Sequence, residues 1–232
     1  MDVSFLIPCA RQWEGYGLKT FNSLINLKTD LSYEIIVCCP YDLELSHKKL
    51  VVLKDNAGSS GAVDPINKMC TAARGSYLIL LNDEFISHPT ILDVLKIFEE
   101  TGLEVAGLVP DHFIDGVPRQ QIPALYYPFL VNLGGCPLLP FPVISKKLVM
   151  KHMDGVLFNE SFKHYGSDSW LSYYIKNKLN KDIHLCFETR TIFTINSEEP
   201  SIAKDTDNGE GTLSQLVSLL NKYPEMGYNT IV

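Results

Sequence analysis

The chain has 232 residues, of which 46% are hydrophobic and 20% charged, with a formal net charge of −7. That length allows one sizeable core, and the composition is that of an ordinary globular protein. The negative balance argues against a nucleic-acid backbone or an anionic bilayer as partner, because both are usually met by clustered lysine and arginine.

No window approaches ~18 uninterrupted apolar residues, so no transmembrane segment is expected. The first residues lack both a basic stretch and a small-residue cleavage site, so no secretory signal is expected either. The cysteines Cys9, Cys38, Cys39, Cys70, Cys136 and Cys186 form no C-x-x-C pair and no metal-ligand spacing. Buried free thiols in a reducing, cytoplasmic setting are the expectation.

The first half alternates strand and helix signals. Val3–Ile7 is a short apolar run stopped by Pro8, as a buried strand would be. Leu18, Phe21, Leu24 and Ile25 recur at helical spacing, and Glu34–Cys39 is a second β-rich run ended by Pro40. Leu50–Leu53 reads as a third strand. The small residues Asn56 to Gly61 lead into a helix with Ala62, Ile66, Met69, Cys70 and Ala73 on one face. Gly75 stands where a C-cap glycine would end that helix. Tyr77–Leu81 is the most apolar strand so far, and it runs directly into Asn82-Asp83-Glu84.

Strand and helix at such intervals predict an α/β fold with a mostly parallel sheet and helices on both faces. Ligands then bind beyond the carboxyl ends of the strands, where the residues after Ile7, after Val37 and at Asn82–Glu84 fall. The second half is less regular. Ile91, Val94, Leu95 and Phe98 predict a helix, and Val105–Val109 another strand. Residues 110–142 are rich in proline, glycine and aromatics. A turn and helix follow, carrying Trp170, Leu171, Tyr174 and Ile175. Residues 197–211 read as an exposed loop that would order over a bound donor. Leu213, Leu216, Val217 and Leu220 predict a closing amphipathic helix.

Two acidic positions could carry chemistry. Asp83 and Glu84 are adjacent carboxylates at the end of a buried strand, and they repel unless a cation lies beside them. A hard divalent ion, Mn²⁺ or Mg²⁺, is the natural compensation, completed by phosphate oxygens and water. A solvated turn is the other reading of the same residues. Asp168 opens a helix, which suits either a cap or a general base within reach of an acceptor hydroxyl. The turn beginning at Asn56 could present backbone N–H groups to a phosphate, or be a plain loop. No zinc-hydrolase histidine spacing and no nucleophile elbow is present.

The order of these motifs resembles the family 2 glycosyltransferases. Val3-Ser4-Phe5-Leu6-Ile7-Pro8, Thr20–Leu24 and Tyr33–Val37 are similar to that family's first strand, first helix and second strand. Asn56-Ala57-Gly58, Asn67 and Ala73-Arg74-Gly75-Ser76-Tyr77 resemble its glycine turn and third helix. Leu80-Leu81-Asn82-Asp83-Glu84 occupies the place of its D-x-D element. Phe158–Phe162 with Tyr165–Ser172 resembles the acceptor-side motif that carries the base. The likeness extends from about Val3 to Ile175.

The resemblance implies a GT-A fold over 1–232, with a nucleotide-sugar-binding half at about 1–110 and an acceptor-binding half at about 111–232. It also implies a nucleotide-sugar donor and transfer with inversion to an unassigned sugar, lipid or protein acceptor. Glu84 with Asp83 would hold the metal against the donor diphosphate, and Asn82 would lie near the ribose. Asp168 would take the acceptor proton. Pro8, Arg11 and Glu14 would border the nucleotide. The family's paired aspartates after the second strand are replaced by Cys38-Cys39-Pro40, which leaves Asp42 as their substitute. Asn196 falls near the place of a metal-completing histidine. The departures keep open a non-catalytic nucleotide-sugar-binding protein of the same fold, and a nucleotidyltransferase is a more remote alternative.

Overall fold

The structure is a computed structural model that describes residues 1–9, 13–55, 61–81, 85–109, 111–114, 117–118, 139, 141–162, 167–186 and 192–195. The strands are β1 (Val3–Pro8), β2 (Tyr33–Cys39), β3 (Leu50–Lys54), β4 (Tyr77–Leu80), β5 (Phe85–Ile86), β6 (Val105–Leu108), β7 (Asp111–Ile114), β8 (Val117–Pro118), β9 (Pro142–Ser145), β10 (His184–Cys186) and β11 (Ile192–Ile195). The helices are α1 (Leu18–Ile25), α2 (Val63–Ala72), α3 (Asp93–Thr101), α4 (Lys146–His152) and α5 (Ser167–Tyr173). A π-helical turn, Trp13–Gly17, leads into α1, and another, Tyr174–Lys178, continues α5.

A seven-stranded central sheet has the order β10-β6-β9-β4-β1-β2-β3. Its pairs are parallel except where β9 joins β4 and β6, so the sheet is mostly parallel with one reversed strand. The parallel βαβ units were legible in the sequence; β9 was not. Its run of four residues begins with a proline, which a strand tolerates at its first position because no ladder donor is needed there. All four residues are buried, as a strand in the middle of a covered sheet requires.

Alternation along the strands divides the core into two layers. Phe5, Ile7, Ile35, Val37 and Ile79 face α1 and α3, meeting Phe21, Leu24, Val94, Leu95 and Phe98. Leu6, Ile36, Leu78 and Leu80 face the other way, against Ile66, Met69 and Cys70 of α2, Leu148 and Val149 of α4, and Leu171 and Tyr173 of α5. Helices therefore cover both faces, as the sequence predicted.

The amino-terminal edge of the sheet is closed by polar bonds. Glu34 on β2 is 1% exposed. Its carboxylate accepts from Ser4 Oγ at 2.7 Å, Arg74 N at 2.6 Å and Arg74 Nε at 2.8 Å. Gly75 N donates to Ser4 Oγ at 2.8 Å. This corrects the expected role of Gly75. α2 ends at Ala72 with Ala73 as its cap, and Gly75 lies beyond it. A Cβ on Gly75 would sit 2.5 Å from the backbone of Val3 and Ser4, so glycine is required by close approach to β1.

The carboxyl edge opens differently. A second sheet of order β5-β11-β7-β8 is reached directly from the central one: β4 leads to β5, β6 to β7 and β10 to β11. The three junctions lie at the carboxyl ends of central-sheet strands, the edge where such folds bind ligands.

Candidate functional site at the carboxyl edge of the sheet

Leu81 still belongs to the central sheet, since its N–H donates to Leu6 O at 2.9 Å and its side chain is fully buried. Phe85 opens β5 in the second sheet. Asn82, Asp83 and Glu84 fall between these two points and lie outside the described residues, as do Arg11 and Asn56. Among the described residues no three His, Cys, Asp or Glu side chains gather as a metal site.

Pro8 ends β1 opposite Cys38 and is half-buried. Glu14 is exposed on the π turn that follows. At the end of β2 the thiols of Cys38 and Cys39 point into the two core layers. Burial, with the Asp55 carboxylate adding to it, pushes the Cys38 thiol up to about 12. Burial also raises Cys39. Neither is a thiolate at neutral pH, which matches the expectation of inert buried thiols.

Asp42 is exposed and ion-paired with Lys54 at 2.7 Å. Asp55, unremarked in the sequence reading, lies closer to the strand ends. Its N–H donates to Cys39 O at 2.8 Å, extending the β2–β3 ladder, and its side chain is half-buried. The available signal was its position directly after a β-rich run, which puts it beside the residue closing the neighbouring strand.

Asp168 is the second residue of α5 and is half-buried. Burial pushes its carboxyl above the usual aspartate range, against the opposing pull of the Ser169 N–H, which donates to Oδ1 at 2.8 Å. A cap needs no elevated proton affinity, whereas a general base gains from it.

The chain leading to α5 is anchored by a contact that the sequence alone does not disclose. Asn67 on α2 is buried, and its amide brackets the backbone of Phe158: Nδ2 donates to the carbonyl at 2.7 Å and Oδ1 accepts from the N–H at 2.9 Å. Asn159 Oδ1 then accepts from Ser161 N at 2.9 Å, and Phe162 is buried beside Phe158. α2 is thereby tied to the stretch that precedes α5.

The sequence matches no family model and no curated protein. Solved structures do share its fold. S. aureus TarS 1-349 in complex with UDP-GlcNAc aligns with a TM-score of 0.62 at 18% identity, over 95% of this chain and 67% of that one. TarS 1-349 in complex with UDP gives 0.62 at 18%, over 95% and 66%. A third TarS 1-349 structure gives 0.61 at 17%, with 95% and 66% covered. This chain thus spans about two thirds of the TarS chains. At such identity the likeness establishes the fold, and the fold is the GT-A-like α/β arrangement expected from the motifs. No described helix is long and apolar enough to cross a membrane.

Proposed function

We propose that this chain is a glycosyltransferase that moves a sugar from a nucleotide-sugar donor to an acceptor hydroxyl, with inversion and with help from Mn²⁺ or Mg²⁺. The observation that carries the reading is the course of the chain at the carboxyl edge. Asn82-Asp83-Glu84 joins the end of β4 to the second sheet, in a fold shared with a protein crystallised in complex with UDP-GlcNAc and UDP.

Asp83 and Glu84 offer two hard oxygen donors, a set that suits Mn²⁺ or Mg²⁺ and leaves coordination positions for phosphate. Such an ion would supply positive charge beside the departing diphosphate. The remaining chemistry belongs to the chain. Asp168 accepts the proton of the acceptor hydroxyl as its oxygen attacks the anomeric carbon from the face opposite the diphosphate. The new glycosidic bond forms while the anomeric carbon–oxygen bond to the diphosphate breaks, and the electron pair leaves with the nucleoside diphosphate. Burial around Asp168 makes its carboxylate a stronger base than an exposed aspartate. Pro8, Arg11, Glu14 and Asn82 border the nucleotide, and the Asn56 turn offers N–H groups to phosphate.

The test is a titration with UDP-, GDP-, dTDP- and CMP-sugars, with and without Mn²⁺, on wild type and Glu84→Ala. Donor at ~100 times its Kd adds roughly 2.7 kcal/mol to folded stability, which a melting curve detects. The reading requires a Mn²⁺-dependent shift that Glu84→Ala loses. A well-folded protein that responds to no donor contradicts it.

One observation favours a second reading. The residues closing β2 are two buried thiols, and Asp42 is engaged by Lys54, so this edge lacks the acidic pair typical of the family. A binding protein without turnover accounts for that too, and it would bind donor without transferring or hydrolysing the sugar.

A further inference from the structure

The connection after β2 contains a tyrosine whose hydroxyl serves two other segments. Cys39 Sγ donates to the Tyr41 carbonyl at 3.2 Å, which fixes the turn as the chain leaves β2. The Tyr41 hydroxyl lies 3.4 Å from Cys9 Sγ, and the backbone N–H of Trp13 is close enough to lower its proton affinity. Cys9 directly follows the last residue of β1, and Trp13 opens the π turn that carries Glu14. A single oxygen thus sits against Cys9, directly after β1, and near the N–H of Trp13, where the π turn opens. Burial and the Cys9 contact hold the hydroxyl far above its ordinary pKa, so it stays protonated in this role.

Surrounding packing is arranged for the same contact. The Trp13 ring lies against Phe21 with centroids 6.0 Å apart, and Phe21 meets His47 edge-on at 5.7 Å. Gly17 leaves the room that this needs. A Cβ there would stand 2.5 Å from the Trp13 ring and 2.9 Å from Cys9 Sγ. Filling the layer requires only the Tyr41 ring. The hydroxyl adds a constraint on the chain exactly where β1 reaches the ligand edge of the sheet.

We propose that Tyr41 is a positioning residue of the donor site: its hydroxyl latches the exit of β1 to the π turn and holds Pro8 and Glu14 in the arrangement that receives the nucleotide. This rests on the glycosyltransferase reading above. Phenylalanine at this position keeps the ring and removes the latch.

The experiment compares wild type, Tyr41→Phe and Gly17→Ala, the last pressing on the Trp13 and Cys9 side of the same contact. Two readouts are taken: amide exchange at Trp13 without ligand, and affinity for UDP in the presence of Mn²⁺ together with donor KM and kcat. In Tyr41→Phe, exchange at Trp13 accelerates roughly tenfold while strand amides of β1 and β2 keep their protection. UDP affinity falls roughly 3- to 10-fold, as expected for one lost hydrogen bond, and the loss falls on donor KM rather than on kcat. Gly17→Ala moves both readouts in the same direction. Unchanged exchange at Trp13 overturns the latch. Faster exchange with unaltered UDP affinity overturns its role in the donor site and leaves a purely structural bond. Wild type that binds no UDP while Trp13 still responds removes the nucleotide reading itself, and the donor role falls with it.

Discussion

The two edges of the central sheet are built on opposite principles. At the amino-terminal edge a buried glutamate is fully matched: Glu34 takes Ser4, the Arg74 N–H and the Arg74 guanidinium, and Gly75 presses against β1 with no space left. The candidate acidic residues are unevenly matched. Asp168 is half-buried with an elevated proton affinity, Glu14 is exposed, and Asp42 holds only a surface lysine. Chemistry needs groups whose proton or ligand can change, and a saturated network offers none. The Ala73-Arg74-Gly75-Ser76-Tyr77 segment, although part of a family-like motif, therefore stabilises the fold, and the proposed function is assigned to the partly satisfied edge.

Substitutions at the two edges should separate activity from stability. The largest effect is expected at Asp168. Asp168→Asn should lower kcat by roughly 10²- to 10⁴-fold, the usual worth of a positioned base. Its stability should hold or rise at neutral pH, because a carboxyl raised in the fold above its unfolded value favours folding only below that value and loses this as pH rises. Chemical denaturation beside a transfer assay checks both. The acid limb of the wild-type rate profile should lie above the ordinary aspartate value of 3.8. A limb at or below it would remove Asp168 as the base.

Gly75→Ala should do the reverse, losing about 3 kcal/mol of stability because the clash is with backbone that cannot turn aside. Nucleotide affinity of the folded fraction should be unaltered. A variant that stays stable would show that β1 can shift.

Glu34→Gln should cost roughly 2 kcal/mol at pH 7, since the Arg74 contacts lose their charged acceptor. Burial alone would raise the Glu34 carboxyl, but the Arg74 N–H, the Ser4 hydroxyl and the Arg74 guanidinium together hold it below the ordinary glutamate value of 4.5. Its contribution is thus present above that pH and lost as pH falls through the depressed folded value. The gap between wild type and Glu34→Gln should narrow on acidification below 4.5, and urea titrations at several pH values test this. The smallest effect is expected at Asp42, where Asp42→Ala should change stability by less than about 0.5 kcal/mol because both partners are exposed. A simultaneous fall in donor affinity would bring Asp42 back to the nucleotide.

The sequence was most legible where local pattern and global fold coincide. The runs that became β1, β2 and β4 are continuous and mostly apolar because both faces of a parallel sheet are covered there, and α1, α2 and α3 carry one apolar stripe each. Legibility failed where a contact is long-range. β9 consists of four residues whose identity as a strand depends on β4 and β6 meeting it from either side. Asn67 and Phe158 are 91 residues apart, and nothing local in either announces the bracket between them. Asp55 carried no signal of its own in the sequence, and only the continuation of the β2–β3 ladder brings its N–H to the Cys39 carbonyl. Gly75 was read through its commonest local role, and the approach of β1 was invisible from the helix end alone. Asp168 could be nominated from sequence, but the burial that raises its proton affinity arises from packing around α5.

The most direct test of the central claim is a crystal structure with UDP and Mn²⁺ bound. The account predicts density at the carboxyl edge, beyond β1 and β4 and beside Asp83 and Glu84, with the ion on the diphosphate. The amino-terminal edge also has a cavity, of about 650 Å³, lined by Asp2, Lys28, Tyr77, Thr90 and Lys96 among others. Nucleotide bound there, with the carboxyl edge unchanged at saturating UDP and Mn²⁺, would contradict the assignment of function to the partly satisfied edge.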